Sequence, residues 1–315
     1  VTFLPTAGEI RGAAAALEGV AERTPLVPAP SLAAAAGAPV WLKPEHRQPI
    51  GAFKIRGAYV ALARLDAAER ARGVLTHSSG NHGQALAFAA RAFGVRAVIV
   101  MPDDSPAVKV AGVRRHGGEI VFCRRAERAR VACETAEREG LVQVPPFDHE
   151  GVILGQATCA WEILEDLPDV ATLVVPVGGG GLLAGTAAAI RASGRAVRLV
   201  AVEPEGAWKV GPALAAGRPV PVAEPASIAD GLLPPAVGAL TFPVFRDAVT
   251  ASVTVTEAEI AGAVRALAAL GERVEPSGAV TSAAILAGRV PAGGPIVAIV
   301  TGGNVDPDVY ARLTA

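Results

Sequence analysis

The chain has 315 residues, room for one large domain or two ordinary ones and for a sizeable packed core. Charged residues make up 19% and hydrophobic ones 51%, with 29 basic side chains against 30 acidic, which excludes a disordered tail and a basic nucleic-acid-binding surface. Mean hydropathy is +0.40, yet the charge-free stretches at 24–42 and 170–190 are broken by prolines or by Pro176 and a glycine run, so neither reads as a membrane span.

No basic-then-apolar segment opens the chain, and three cysteines (Cys123, Cys133, Cys159) are odd in number and widely spaced. These features predict a cytoplasmic, reducing setting with three buried thiols. Lysine is scarce, with Lys43, Lys54, Lys109 and Lys209 beside 25 arginines, as a compositional bias of the genome would leave it.

In chain order, the first chemistry-bearing segment is 51–58, Gly-Ala-Phe-Lys-Ile-Arg-Gly-Ala, which sets Lys54 among apolar neighbours. A surface amine is the plain reading; a desolvated one has a depressed pKa and acts as a nucleophile able to form a Schiff base. Arg56 either helps keep that amine neutral or pairs with an acid. Residues 76–84, Thr-His-Ser-Ser-Gly-Asn-His-Gly-Gln, read as a strand-to-helix turn dense in hydroxyls and amides, suited to a carboxylate or to an ordinary N-cap by Ser78 or Ser79.

Strands are predicted at 95–100, 119–122, 172–175, 197–202 and 295–300, short apolar β-branched runs with turn-type flanks. The strand at 172–175 runs into Gly178, Gly179, Gly180 and Gly181 and then an apolar helix, which makes an anion cradle suited to a phosphate. The same loop fits a dinucleotide fingerprint through 179–184, with Glu203 as the ribose acid, so a nicotinamide-dependent dehydrogenase stays open at this point. Residues 256–270 read as a helix capped by Thr256 and Glu259, with Ile260, Val264, Leu267 and Leu270 on one face and Gly271 at its end. After 295–300, Thr301 either offers a hydroxyl at a strand's carboxyl end or caps the next helix.

Strand and helix in alternation predict an α/β fold with two open, mostly parallel twisted sheets covered by helices. A small α/β domain at 73–148 is expected to be inserted into a larger one made of 1–72 plus 149–315, with the site in the cleft between them.

The pieces also come in a familiar order: Arg23-Thr24-Pro25-Leu26, 43–45, 53–58, 78–84, Gly155-Gln156, the tetraglycine, Ala229-Asp230-Gly231, Glu275-Pro276 and 301–306. The ordered set resembles the fold type II pyridoxal-phosphate enzymes of the serine/threonine dehydratase and serine racemase family, over nearly the whole chain. The resemblance implies pyridoxal 5′-phosphate as cofactor, bound covalently by Lys54, with Phe53 beside its ring. Gly178, Gly179, Gly180, Gly181 and Leu182 would hold its phosphate, Asn81 its 3′-oxygen and Thr301 its ring nitrogen. Ser78, Ser79, Asn81 and His82 would grip the substrate carboxylate, Gly231 would line the site through its carbonyl, and Arg130 would approach from the small domain.

The implied activity is loss of water from a small β-hydroxy amino acid, L-threonine or L-serine first, to give a 2-keto acid and ammonia. Ser79 stands where family racemases carry the acid/base opposite the lysine, so serine racemisation is the first alternative. A dehydratase of hydroxyaspartate or phenylserine is the second. The family also implies a homodimer and a small-molecule substrate. Metal-binding members use carboxylates at the positions of Glu203 and Lys209 and the carbonyl at Ala207. An ammonium cannot ligate a cation, so no metal is expected here: Lys209 either abolishes that site or places its own charge beside Glu203, with a surface lysine as the third option.

Overall fold

The computed structural model describes residues 2–78, 80–291 and 293–315. Continuous Val/Ile/Leu runs form strands buried on both faces, as parallel sheets covered by helices require. The larger sheet contains β1 (Val27–Pro28), β2 (Val40–Pro44), β7 (Thr172–Pro176), β8 (Arg198–Pro204), β9 (Val249–Val255) and β10 (Ile296–Val300), in the order β1-β2-β10-β7-β8-β9. Only β1 is antiparallel to its neighbour. The smaller sheet contains β3 (Val74–His77), β4 (Ala97–Pro102), β5 (Glu119–Cys123) and β6 (Val142–Gln143), all parallel, in the order β5-β4-β3-β6.

Strand order determines which loops meet. β10 lies between β2 and β7, with Ile296 opposite both Val40 and Thr172. Thr301 after β10 and the glycine run after β7 therefore leave the sheet side by side, at the carboxyl ends where ligands bind on open α/β sheets.

The helix Lys54–Ala63 joins the two sheets: Ile55, Ala58 and Leu62 share a core with Leu86 and Ile99 of the smaller sheet's layer, while its other side packs on the helix Glu150–Asp166. Those two helices approach so closely that a β-carbon at Gly155 would sit 2.7 Å from the Cα of Gly57. Beneath them Arg56, fully buried, donates to Glu45 at 2.7 Å and Glu162 at 2.6 Å, and Lys43 donates to Glu162 and to the Thr24 carbonyl. Arg56 thus pairs with acids, the second of its two readings, and anchors the helix that starts at Lys54.

Three details depart from expectation. β9 is an edge strand whose Val249–Val255 run alternates weakly and stays half-exposed, so its pattern never separates from a loop. In the helix Glu257–Ala269 the Thr256–Glu259 capping box forms and Ile260, Val264 and Leu267 are buried, but Leu270 falls at the C-cap and is exposed. Of the three thiols only Cys159 is buried; Cys123 is half-buried and Cys133 is exposed.

Candidate active site

A cavity of about 800 Å³ opens between the two sheets, lined by the loops after β3, β7 and β10 and by the start of the Lys54 helix. That size suits a small ligand or cofactor. Lys54 is the first residue of its helix, and its Nζ donates to the Pro146 carbonyl at 2.6 Å. Among the described residues no carboxylate pairs with it, and burial pulls the amine down to about 8. The preceding Phe53 ring lies 5.1 Å from Nζ, and the Phe53 N–H donates to the Thr301 carbonyl, tying the lysine's turn to the end of β10.

Gly178, Gly179, Gly180, Gly181 and Leu182 all line the cavity. Gly180, at φ +91°, begins the helix Gly181–Ser193 and supplies no capping side chain, so the N–H groups of the first turn are left for a ligand. The loop is braced from behind: Thr241 Oγ1 donates to the Gly179 carbonyl at 2.9 Å, and the Gly238 N–H donates to the same oxygen.

The turn after β3 leads into the helix Asn81–Phe93. Ser78 does not cap that helix; its Oγ accepts from the Gly80 N–H at 3.2 Å. Ser79 lies outside the described residues. Asn81 donates through Nδ2 to Glu275 Oε1 at 2.5 Å and accepts from Asn304 Nδ2 at 2.9 Å, so its amide is held from two sides with one N–H left over. His82 is buried and contacts the Val144 carbonyl through Nε2; burial, with the Lys54 charge nearby, pushes it down to about 3. His77 is driven to about 4, first by burial and then by Arg128. Both rings stay neutral at physiological pH.

Thr301 lines the cavity and is buried, and among the described residues its hydroxyl makes only a long 3.4 Å hydrogen bond, to the Ser277 carbonyl. It does not cap the next helix, Pro307–Thr314, which starts behind Asp306. Gly231 also lines the cavity and donates its N–H to Ser277 Oγ at 2.9 Å; its carbonyl would lie 3.0 Å from a β-carbon at Gly178.

Contrary to expectation, Arg130 does not line the cavity. It is exposed and paired with Glu127 and Glu134, both at 2.8 Å, on the outer face of the helix Arg128–Glu139. Two residues along a helix is about 200° of rotation, so the arginine facing the cavity is Arg128. Sequence reasoning also passed over Lys109, whose Nζ crosses from the small-sheet side to Asp230 at 2.5 Å and Glu275 at 3.5 Å. Its scarcity as one of four lysines was the available signal.

Glu203 does not line the cavity and is fully buried beside Lys209. The ammonium, fully buried, donates to Glu203 Oε1 at 2.9 Å, the Ala207 carbonyl at 2.7 Å and the Leu232 carbonyl at 3.2 Å. Of the three readings of Lys209, the geometry matches the one in which it places its own charge beside Glu203. The dinucleotide reading loses its ribose acid to the same pairing.

A family model described as pyridoxal-phosphate dependent enzyme matches residues 17–302. The chain belongs to the pyridoxal-phosphate dependent enzymes. It is 42% identical to an L-threo-3-hydroxyaspartate ammonia-lyase of a Pseudomonas species, over 96% of each chain. It is 38% identical to an L-threonine ammonia-lyase of Thermotoga maritima, over 98% of this chain and 78% of that one. Among solved structures it matches maize serine racemase with a TM-score of 0.93 and 37% identity, over 98% of this chain and 97% of the other.

As a pyridoxal-phosphate enzyme the chain uses pyridoxal 5′-phosphate, and the site suits it. A β-carbon at Gly179 would collide with the Phe147 ring and one at Gly181 would come within 3.0 Å of Phe147, so the loop must be free of side chains and offers only backbone donors to a phosphate. Across the cavity stand a primary amine without a counter-ion and, at Thr301, a neutral hydroxyl rather than a carboxylate.

Proposed function

We propose that this protein is a pyridoxal-phosphate-dependent ammonia-lyase: a small β-hydroxy amino acid loses water, and the enamine released takes water up again to give a 2-keto acid and ammonia. The observation that carries the reading is the set facing one cavity: an uncompensated Lys54 amine, side-chain-free donors at Gly178–Gly181, and the Thr301 hydroxyl. The names of the relatives, ammonia-lyases for threonine and hydroxyaspartate and a serine racemase, support the same class of substrate.

The bound cofactor supplies an electrophilic carbon for the amine and a conjugated ring that takes up negative charge developing at Cα. Lys54 would hold it covalently, the glycine loop and Leu182 its phosphate, Asn81 its 3′-oxygen, Thr301 its ring nitrogen, with Phe53 beside the ring. The Lys54 amine, whose pKa burial holds near 8, would take the Cα proton, and that proton would leave with the β-hydroxyl as water. The substrate carboxylate is bound by Ser78, Ser79, Asn81 and His82, largely through N–H groups at the start of the helix Asn81–Phe93, where the helix dipole favours an anion. Gly231 lines the site through its carbonyl. A neutral hydroxyl at Thr301 leaves the ring a weaker electron sink than a carboxylate would, which favours early departure of the β-hydroxyl over transamination.

The cytoplasmic homodimer implied by the family belongs to this reading, as does the division into 1–72 plus 149–315 and 73–148; the four strands of the smaller sheet, all between residues 74 and 143, support that division. Incubation of the holoenzyme with L-threonine, L-serine and L-threo-3-hydroxyaspartate tests the function. Equimolar keto acid and ammonia are expected, with D-serine the minor product from L-serine. D-serine in excess over pyruvate would replace the lyase by a racemase.

A further inference from the structure

The charges facing the cavity nearly all have partners. Lys109 is matched by Asp230 and Glu275, and Arg125 at the rim by Asp104 at 2.9 Å. His77 and His82 are neutral. Lys54 is committed to the cofactor. Glu224 stands exposed at the mouth, and among the described residues no cation lies within ion-pair distance of it.

Arg128 is what remains. It is the first residue of the helix Arg128–Glu139, it lines the cavity, and among the described residues it has neither a carboxylate within 4.0 Å nor a hydrogen-bond acceptor. Burial and the neighbouring Arg125 both disfavour its charge. A half-buried guanidinium without an acceptor carries a desolvation cost that a structural role does not recover. Its planar fork of donors matches a carboxylate in two-point fashion.

We propose that Arg128 receives the side-chain carboxylate of the substrate, so that the preferred substrates are β-hydroxy amino acids carrying a second carboxylate, with 3-hydroxyaspartate the smallest, ahead of serine and threonine. The inference rests on the ammonia-lyase reading. In that reading the helix Asn81–Phe93 takes the α-carboxylate and the glycine loop takes the cofactor phosphate. A third anionic group is the one for which Arg128 has no competitor.

The test compares kcat/KM for L-threo-3-hydroxyaspartate and L-serine in the wild-type holoenzyme, Arg128→Leu and Arg128→Lys. It also follows the unfolding midpoint of each protein with and without succinate, a dicarboxylate that cannot react. The wild type is expected to prefer the dicarboxylic substrate, and Arg128→Leu to lose that preference by roughly 30-fold or more, the effect of removing one partner of a desolvated charge pair. Arg128→Lys, which keeps the charge without the fork, should lose less. Succinate should raise the midpoint of the wild type and not of Arg128→Leu.

An equal loss on both substrates would overturn the proposal, because Arg128 would then hold the α-carboxylate; so would an unchanged ratio, or succinate stabilisation that survives in Arg128→Leu. Ammonia release from no substrate, with Arg128-dependent succinate binding intact, would sink the lyase reading and still support a dicarboxylate site at Arg128.

Discussion

A lysine amine held near pKa 8 by burial alone is partly neutral at physiological pH, whereas an exposed lysine is almost wholly charged. Removing it takes away both the covalent anchor and the proton carrier. Lys54→Ala should therefore lower kcat/KM by more than ~10²-fold, the lower bound for a positioned acid/base group; a loss below tenfold would move the base elsewhere. His77 and His82 give a second prediction. Their folded pKa values, about 4 and about 3, lie below the ordinary 6.5, so as pH falls from about 6.5 the unfolded chain takes up protons that the folded chain refuses. Stability contributed by the neutral rings is full above that pH and is lost progressively down to about pH 3–4. Unfolding free energy should drop between pH 7 and 4.5, and His82→Gln should flatten the drop; a pH-independent midpoint over that window would contradict it. At this scale the sequence was legible in the strand-to-helix turn that carries Asn81, whose signals are neighbouring residues, whereas the partners of Lys54 and Asn81, namely Pro146, Glu275 and Asn304, are distant in the chain. It was not legible where helical phase decides: Arg128 and Arg130 differ by two positions and face opposite ways.

The glycine loop and the cage around Lys209 hold their elements by different means. Gly179 has the Phe147 ring where a side chain would go, and Gly180 combines φ +91° with Thr241 Oγ1 at 2.9 Å from a β-carbon. Gly179→Ala and Gly180→Ala should each weaken cofactor binding at least tenfold by titration, about 1.4 kcal/mol; unchanged affinity would show that the phosphate lies elsewhere. Lys209 bonds the end of β8 to the loop that carries Leu232 and Gly231. Lys209→Met leaves Glu203 buried and unpaired, which costs about 3–5 kcal/mol. The measurement is the denaturant midpoint, and a loss under ~1 kcal/mol would contradict the pairing. A chelator should leave wild-type activity unaltered. Buried strands such as β7 and β10 were readable because both faces are apolar; β9, with one face in water, was not.

At the scale of the molecule, the site depends on two sheets meeting. Lys109 and Asn81 come from helices on the small sheet, and Asp230, Glu275 and Asn304 from the larger body, so the contacts Lys109–Asp230, Asn81–Glu275 and Asn81–Asn304 all cross the cleft. The alternation of strand and helix made two parallel sheets legible, and the order of motifs made the family legible. Which side chains face one another across the cleft depends on how the sheets pack, and single-chain spacing carries no record of that. Borohydride reduction of the holoenzyme followed by peptide mapping tests the central claim most directly. The account predicts a yellow protein that bleaches, with one pyridoxyl group on the peptide containing Lys54. A label on another lysine, or a colourless protein that takes up no cofactor, would contradict it.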